Sequence, residues 1–266
     1  MIDCHTHTMF SADSKENPEL LIQKAIEKGL DYLAITDHID RDYLFGDIRQ
    51  TEQIDMEEYY KALTILKDKY KSQIDIAIGA EFGFCIPAEP LYKEIDNSYK
   101  LDSTILSVHT IKGNDAYFPE FFFGREKKQA YTSYLEAIEL SLQAPYQYDI
   151  IGHIGYITRN APYTDKALYY SEHRDIIDSI LRRIIEQDKC LEINTRSISH
   201  NAPFMPALEI IERYKELKGE KISFGSDTHT ADGVAKGYKS VTEYLTSLGY
   251  TYLTYFKAHK PYQYKI

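Results

Sequence analysis

The sequence contains no tryptophan, only three cysteines, and no long run of either apolar or basic residues. Each shortage narrows what the chain can be. No stretch approaches the ~20 consecutive apolar residues of a membrane-spanning helix, so no membrane partner is expected. Cys4, Cys85 and Cys190 stand far apart and are odd in number, which offers no disulfide framework and fits a reducing, cytoplasmic setting. His5, the first residue with chemistry to offer, lies too near the start for a cleavable leader to be removed without it. No cluster of Lys or Arg is long enough to follow a phosphate backbone. The formal net charge is −10 and the sequence pI near 5.4, which argues against a nucleic-acid partner. A small anionic substrate stays open, because a few bound cations reverse the local field inside an acidic protein.

The chain does carry a well-stocked core. Apolar residues make up 43% of its 266 positions, enough for one barrel-sized domain spanning 1–266. Short apolar runs at 2–5, 32–36, 74–79, 104–108, 149–152, 190–194 and 222–225 read as strands. Helical periodicity falls between them. The first helix opens on Asn17-Pro18-Glu19, an N-cap, a proline in the first turn and an acid, carries a stripe of Leu20, Leu21, Ala25 and Ile26, and stops at Gly29. Others are expected at 56–70, 128–142, 171–187, 205–217 and 239–248. About seven β/α units in a chain of this length predict a parallel sheet closed into a barrel. The long connections, 39–54, 82–100, 110–127 and 155–170, all follow strand C-termini, where barrel enzymes assemble their sites. The 24 tyrosines have no explanation in the sequence itself.

Those same strand ends carry the chemistry. In order they read His5-Thr6-His7 with Asp13 close behind, Thr36-Asp37-His38, Gly79-Ala80-Glu81, Ser107-Val108-His109, Gly152-His153-Ile154, Glu192-Ile193-Asn194 and Asp227-Thr228-His229. Alternate strand residues face the same side, so an H-x-H or D-x-H pair can direct both side chains at one ion. Imidazole with carboxylate suits Zn, Fe or Mn, and a bridging carboxylate can hold two ions about 3.5–4 Å apart. A lone histidine at a strand end is usually structural. Here six of nine histidines fall at such ends, and only His173, His200 and His259 lie elsewhere, in helix, loop and tail. A packing role does not account for that segregation. Cys4 belongs to the opposite strand face and Cys85 is too soft a donor for this company. Asp3 and Asp37 read as orienting or capping residues, and no ligand position requires Glu192 or Asn194.

As a set, HTH, Asp13, TDH, GAE, SVH, GHIG and SDTH resemble the polymerase and histidinol phosphatase (PHP) superfamily over nearly the whole chain. The resemblance implies a distorted seven-stranded (β/α)7 TIM-like barrel holding two or three divalent ions. It implies one site from His5, His7, Glu81 and Asp227, a second from Glu81, His109 and His153, and a third from Asp13, His38 and His229, with Glu81, Asp227 and His229 in the catalytic set. Some relatives carry His in place of Asp13, and some carry Asp in place of Gly155. Within the superfamily, the chain resembles the stand-alone histidinol-phosphate phosphatases of histidine biosynthesis. That implies hydrolysis of L-histidinol phosphate to L-histidinol and phosphate by a metal-activated hydroxide.

Arginine suits phosphate through its bidentate fork. Arg159 and Arg196, just beyond the fifth and sixth strands, are the expected phosphate-binding pair, and Arg125 is a poorer choice. Tyr117, Phe121, Phe122 and Phe123 are available to cover an imidazole or simply to pack. Other outcomes with the same ligand set are hydrolysis of a nucleotide, a nucleoside bisphosphate or phosphotyrosine, and a non-enzymatic metal-binding regulator. A polymerase-associated exonuclease is disfavoured by the acidic balance.

Overall fold

The computed structural model describes residues 1–45, 48–52, 54–197 and 203–266, with 41–45 and 48–52 described by their backbone alone. His200 lies outside the described residues, as do parts of the 39–54 connection. Seven parallel strands run in chain order around a nearly closed barrel: Ile2–Asp3, Tyr32–Ile35, Asp75–Gly83, Ser103–Ser107, Ile150–Ile151, Cys190–Asn194 and Ile222–Gly225. Register is set by pairs such as Ile2↔Tyr32, Leu33↔Ile76, Gly79↔Ser103, Ile105↔Ile150 and Ile193↔Phe224. The first and last strands meet through Cys4 N to Phe224 O (2.9 Å), Asp227 N to His5 O (2.8 Å) and His7 N to Thr228 O (2.8 Å). These strands are buried on both faces, as a helix-covered parallel sheet requires.

Seven helices flank the barrel: α1 (Pro18–Glu27), α2 (Met56–Tyr70), α3 (Glu89–Ser98), α4 (Lys127–Ser141), α5 (Arg174–Glu186), α6 (Leu208–Glu216) and α7 (Tyr238–Ser247). Asn17 caps α1 as expected, its side chain accepting from Glu19 N. The buried stripe of α1 is Leu21, Ile22 and Ala25, while Leu20 faces solvent. Helix α3 occupies the 82–100 segment that sequence periodicity leaves as a connection. Its apolar face is short, with only Tyr92 and Ile95 buried. Three further segments read as connection or tail also pair: His38–Phe45 with Ile48–Glu52, Thr110–Ile111 with Asn114–Asp115, and Tyr252–Lys257 with Lys260–Lys265. His173 is the N-cap of α5 rather than a residue within it. No helix among the described residues is long and apolar enough to cross a membrane.

The tyrosine surplus has a structural reason. Buried phenols bond the polar ends of the strands to the helices outside. Tyr59 of α2 directs its hydroxyl at Ile35 O (3.0 Å) and Gly79 O (2.8 Å), and Tyr92 of α3 directs its own at Ile39 O (3.1 Å) and Gly83 O (2.6 Å). Each ring fills core volume while its hydroxyl donates to backbone carbonyls of the barrel, a bond that phenylalanine could not make.

The C-terminal hairpin covers the opposite end of the barrel, since Tyr32, Asp102 and Asp149, three of its partners, sit where strands begin. Phe256 O accepts from Tyr32, and His259 N donates to Asp102 O (2.9 Å). His259 Nδ1 lies 2.7 Å from Asp149 Oδ2, and its Nε2 lies 3.4 Å from Asp96 Oδ1. Burial alone would lower the pKa of His259, but the hydrogen bond and charge of Asp149, with Asp96 and Asp102 behind it, outweigh burial and raise it.

Two outcomes are expected. Tyr59→Phe should lower unfolding stability by about 1–2 kcal/mol in chemical denaturation, and an unchanged midpoint and slope would refute this role for the hydroxyl. The raised pKa means that folded His259 binds its proton more tightly than the unfolded chain does. Its contribution is therefore complete below the unfolded value of ~6.5 and fades as pH rises through the folded value. The stability gap between the protein and His259→Gln should shrink as pH rises above the unfolded value of ~6.5; a gap that widens would contradict the His259–Asp149 contact.

Candidate metal centre

Strand alternation delivers His5 and His7 from the first strand end, His38 from the second, Glu81 from the third, His109 and His153 from the fourth and fifth, and Asp227 and His229 from the seventh. Asp13 arrives on the turn after His7. All nine meet in one cluster at the C-terminal rim. The buried carboxylate of Glu81 is its hub: Oε2 lies 3.2 Å from His5 Nε2, 3.5 Å from His7 Nε2 and 2.8 Å from His38 Nδ1. Oε1 lies 3.3 Å from His109 Nε2 and 2.8 Å from His153 Nε2. Asp227 Oδ1 stands 3.3 Å from His7 Nε2 and 4.0 Å from His5 Nε2, and Asp13 Oδ2 stands 2.8 Å from His229 Nε2. The first two expected groupings are thus contiguous. The third is less separate: His38 Nε2 is 3.8 Å from Asp13 while its other nitrogen touches Glu81.

A further layer fixes which nitrogen each ring presents. Glu192 accepts from His5 Nδ1 (2.6 Å) through one oxygen and from the backbone N–H of His153 (2.5 Å) through the other. Both oxygens of Asp40 lie 3.1 Å from His109 Nδ1. With Nδ1–H donated, Nε2 of each ring keeps its lone pair for the cluster. His7 is held differently. Ser11 Oγ spends its proton on Asp37 Oδ1 (2.7 Å), so at 3.1 Å from His7 Nδ1 it can only accept. Asp37 also receives Thr8 N, Ser11 N and the Thr8 hydroxyl, which folds the turn leading to Asp13. Glu192 and Asp37 therefore have orienting roles, and Asp40 and Ser11 are additions that the motifs did not single out. Glycine leaves the room that the two carboxylates occupy. A Cβ on Gly83 would fall 1.5 Å from Asp40 Oδ1, and one on Gly225 would fall 2.1 Å from Glu192 Oε1.

Metal ions fit this arrangement. His5 Nε2, His7 Nε2, His38 Nδ1, His229 Nε2 and Glu81 Oε2 are all buried without a hydrogen bond among the described residues, although each has an opposite-charge partner within 3.5 Å. Lone pairs that approach so closely without aligning converge on shared points rather than on one another. Burial, with His38 and His229 beside it, holds the pKa of His7 well below the ordinary imidazole value, the neutral form that a metal requires. Burial opposes charge on Glu81 too, but the surrounding His5, His38 and His109 hold its carboxyl well below the usual range. Asp227 also adopts a left-handed backbone (φ 51°), a conformation costing roughly 1–2 kcal/mol for an L-residue and often found at functional sites.

The cluster forms one end of a cavity of about 230 Å³. Arg159 and Arg196 both line it, so the expected arginine pair does share the rim. Arg196 Nη1 donates to Asp227 O (2.5 Å) and lies against His229 Nδ1. Asn194 supports both sides, donating to Asp227 Oδ2 (3.3 Å) and accepting Arg196 N (3.0 Å). Arg159 lies over the rings of Tyr117 and Tyr156, 5.8 and 5.6 Å from their centroids. Tyr117 and Phe118 complete the wall, whereas Phe121 and Phe122 are core residues and Phe123 is exposed. Arg125 is turned away, bonded to Phe121 O beside a separate cavity that Cys85 also lines. Asp115 also reaches the cavity, a residue that sequence reasoning passed over. Burial raises the pKa of its carboxyl.

Comparison with known proteins identifies the family. The PHP domain family model matches residues 3–196. The probable histidinol-phosphatase of Clostridium acetobutylicum is 32% identical over 240 residues, covering 90% of this chain and 91% of that protein. The histidinol-phosphatase of Lactococcus lactis subsp. lactis is 33% identical over 231 residues, covering 86% and 84%. A crystal structure of histidinol phosphate phosphatase from Lactococcus lactis, complexed with zinc, L-histidinol and phosphate, superimposes with a TM-score of 0.85 at 31% identity over 98% of both chains. With nearly three quarters of its length inside the family model and relatives above 30% identity along most of it, this chain belongs to the PHP domain family.

Proposed function

We propose that the chain is a metal-dependent histidinol-phosphate phosphatase, with residues 1–266 acting as one catalytic unit. The observation that carries this reading is the full-length similarity to the Lactococcus lactis enzyme, whose structure holds zinc, L-histidinol and phosphate. The cavity offers this chain a cluster of ligand atoms at one end and two arginines beside it. His5, His7, Glu81 and Asp227 would hold one divalent ion, Glu81, His109 and His153 a second, and Asp13, His38 and His229 a third. When bound, such ions act as Lewis acids toward a phosphate ester and activate water near neutral pH.

The chain's own groups do the rest. Arg196 and Arg159 hold phosphate oxygens by charge-assisted hydrogen bonds, Arg196 next to Asp227 and Arg159 from the tyrosine side. Asp227 stays ionised: burial opposes this, but His5, His7 and Arg196 hold its carboxyl well below the ordinary range. It therefore serves as an acceptor that orients water. Asn194 keeps the Asp227 carboxylate and the Arg196 backbone in fixed relation. The aromatic wall excludes bulk water from the alcohol side of the ester, which strengthens these contacts.

Phosphate release from histidinol phosphate by protein reloaded with Zn, Fe or Mn should exceed that from other phosphomonoesters by orders of magnitude in kcat/KM. If a nucleotide ester wins instead, the substrate assignment falls. Arg159→Ala and Arg196→Ala should each cut kcat/KM about 10- to 1000-fold while leaving metal content intact, as expected for the loss of a charge-stabilising donor; wild-type kinetics in both would remove them from the site. Glu192→Ala, which frees the His5 ring and the His153 backbone, should weaken metal binding about 10- to 100-fold, read by metal analysis after dialysis against a chelator. Full retention of metal would show that Glu192 does not orient the cluster.

A further inference from the structure

A second cavity, of about 540 Å³ against about 230 Å³ for the one beside the ligand cluster, opens between the hairpin of Thr110–Ile111 and Asn114–Asp115, helix α4 and residues 84–87. The hairpin divides the two. Thr110 lines both cavities, Asp115 lines the one beside the cluster, and Ile111, Lys112 and Gly113 line the other.

Cavities that take small organic ligands span roughly 300–1,000 Å³ and are mostly apolar, with a few polar groups that orient the ligand. The second cavity has that make-up. Phe84 and Ile111 are buried in its wall, while Ile86 and Leu140, which also line it, remain 57% and 44% exposed. Large apolar side chains left in water around a concavity mark a binding surface.

Its charged lining residues are Lys112, Arg125 and Glu136, and none of them has an ion-pair partner among the described residues. Arg125 is held in place: Nη1 donates to Phe121 O (2.5 Å), and the guanidinium carbon lies 4.4 Å from the centroid of the Phe121 ring. Nε and Nη2 have no acceptor among the described residues. Lys112 stands at the hairpin tip with φ 53°, followed by Gly113 with φ 79°. Asn-Gly meets such a turn with least strain. A lysine held there against that preference places a cation beside the apolar wall, and strained positions of this kind gather at ligand sites. Two cations against one exposed carboxylate leave the lining with an excess of positive charge.

We propose that this cavity is a second ligand site, which takes an organic monocarboxylate with an apolar tail. The tail lies against Phe84, Ile111 and Leu140, and the carboxylate is met by Arg125 and Lys112. Charge-assisted bonds from guanidinium and ammonium fix the head, and burial of the tail supplies the rest of the affinity. The site does not depend on the phosphatase reading, since it shares no charged residue with the cavity beside the cluster.

The test compares octanoate with its uncharged counterpart octanamide by calorimetry on metal-loaded protein, with inorganic phosphate present throughout to compete for the metals. Octanoate should bind one to a chain and about 10-fold more tightly than octanamide, the scale of a hydrogen bond to a charged group. Lys112→Asn, which suits the turn, and Arg125→Gln should each weaken octanoate about 10-fold and leave octanamide unchanged. Arg196→Ala, which removes a cation from the other cavity, should leave octanoate affinity at the wild-type level. Equal octanoate affinity in the protein, Lys112→Asn and Arg125→Gln would overturn the site. So would octanoate binding no more tightly than octanamide, or a loss of octanoate binding in Arg196→Ala, which would place the acid beside the cluster instead.

Discussion

The carboxylate of Glu81 is the constraint around which the rest of the rim is arranged. It has no solvent exposure, and five imidazoles stand within 3.5 Å of its two oxygens. An ionised carboxylate so far from water costs several kcal/mol unless cations or donors compensate it. The fold does not compensate it with hydrogen bonds alone, since Oε2 has none among the described residues. It presents a ring of nitrogens instead, and fixes their orientation from behind. That demand explains the next layer outward. Glu192, Asp40 and Ser11 each tie up an Nδ1, and the neighbouring glycines leave room for the two carboxylates that do so.

The same arrangement resolves the mismatch between an acidic chain and an anionic substrate. The net charge of −10 describes the whole molecule, not the rim. Locally, carboxylates are matched against imidazoles, while Arg159 and Arg196 stand on the open side. The charge that matters lies within the screening distance of the cavity, about 8–10 Å at moderate salt. Charge on the outer helices is too far away to repel a phosphate held there.

Much of this was legible in the sequence, for physical reasons. The strands are buried on both faces and read as dense apolar runs, and strand alternation turns H-x-H and D-x-H into paired side chains at one rim. The nine rim residues were therefore visible as motifs, and all nine do meet. The unreadable parts share a different property. Helix α3 buries only two side chains, too few to mark a helical period, and the C-terminal hairpin mixes exposed tyrosines with lysines, so its alternation is faint. Ser11 and Asp40 orient ligands through contacts that link distant parts of the fold, and no local pattern encodes them. Asp115 belongs to this second class. It is brought to the cavity by a two-residue strand whose only local signal is a turn.

The seam between the first and last strands has a consequence for how the protein is made. The backbone bonds that close the barrel join His5 and His7 to Asp227 and Thr228, so the seam runs through the ligand cluster itself. Asp3 is bonded to Ser226, 223 residues away. Contacts of such separation are entropically the last to form. A ribosome that has delivered the chain as far as Arg196 has already produced seven of the nine cluster residues, yet the two that shut the ring are still unsynthesised. The complete ring of nine therefore exists only in a chain translated through its last barrel strand.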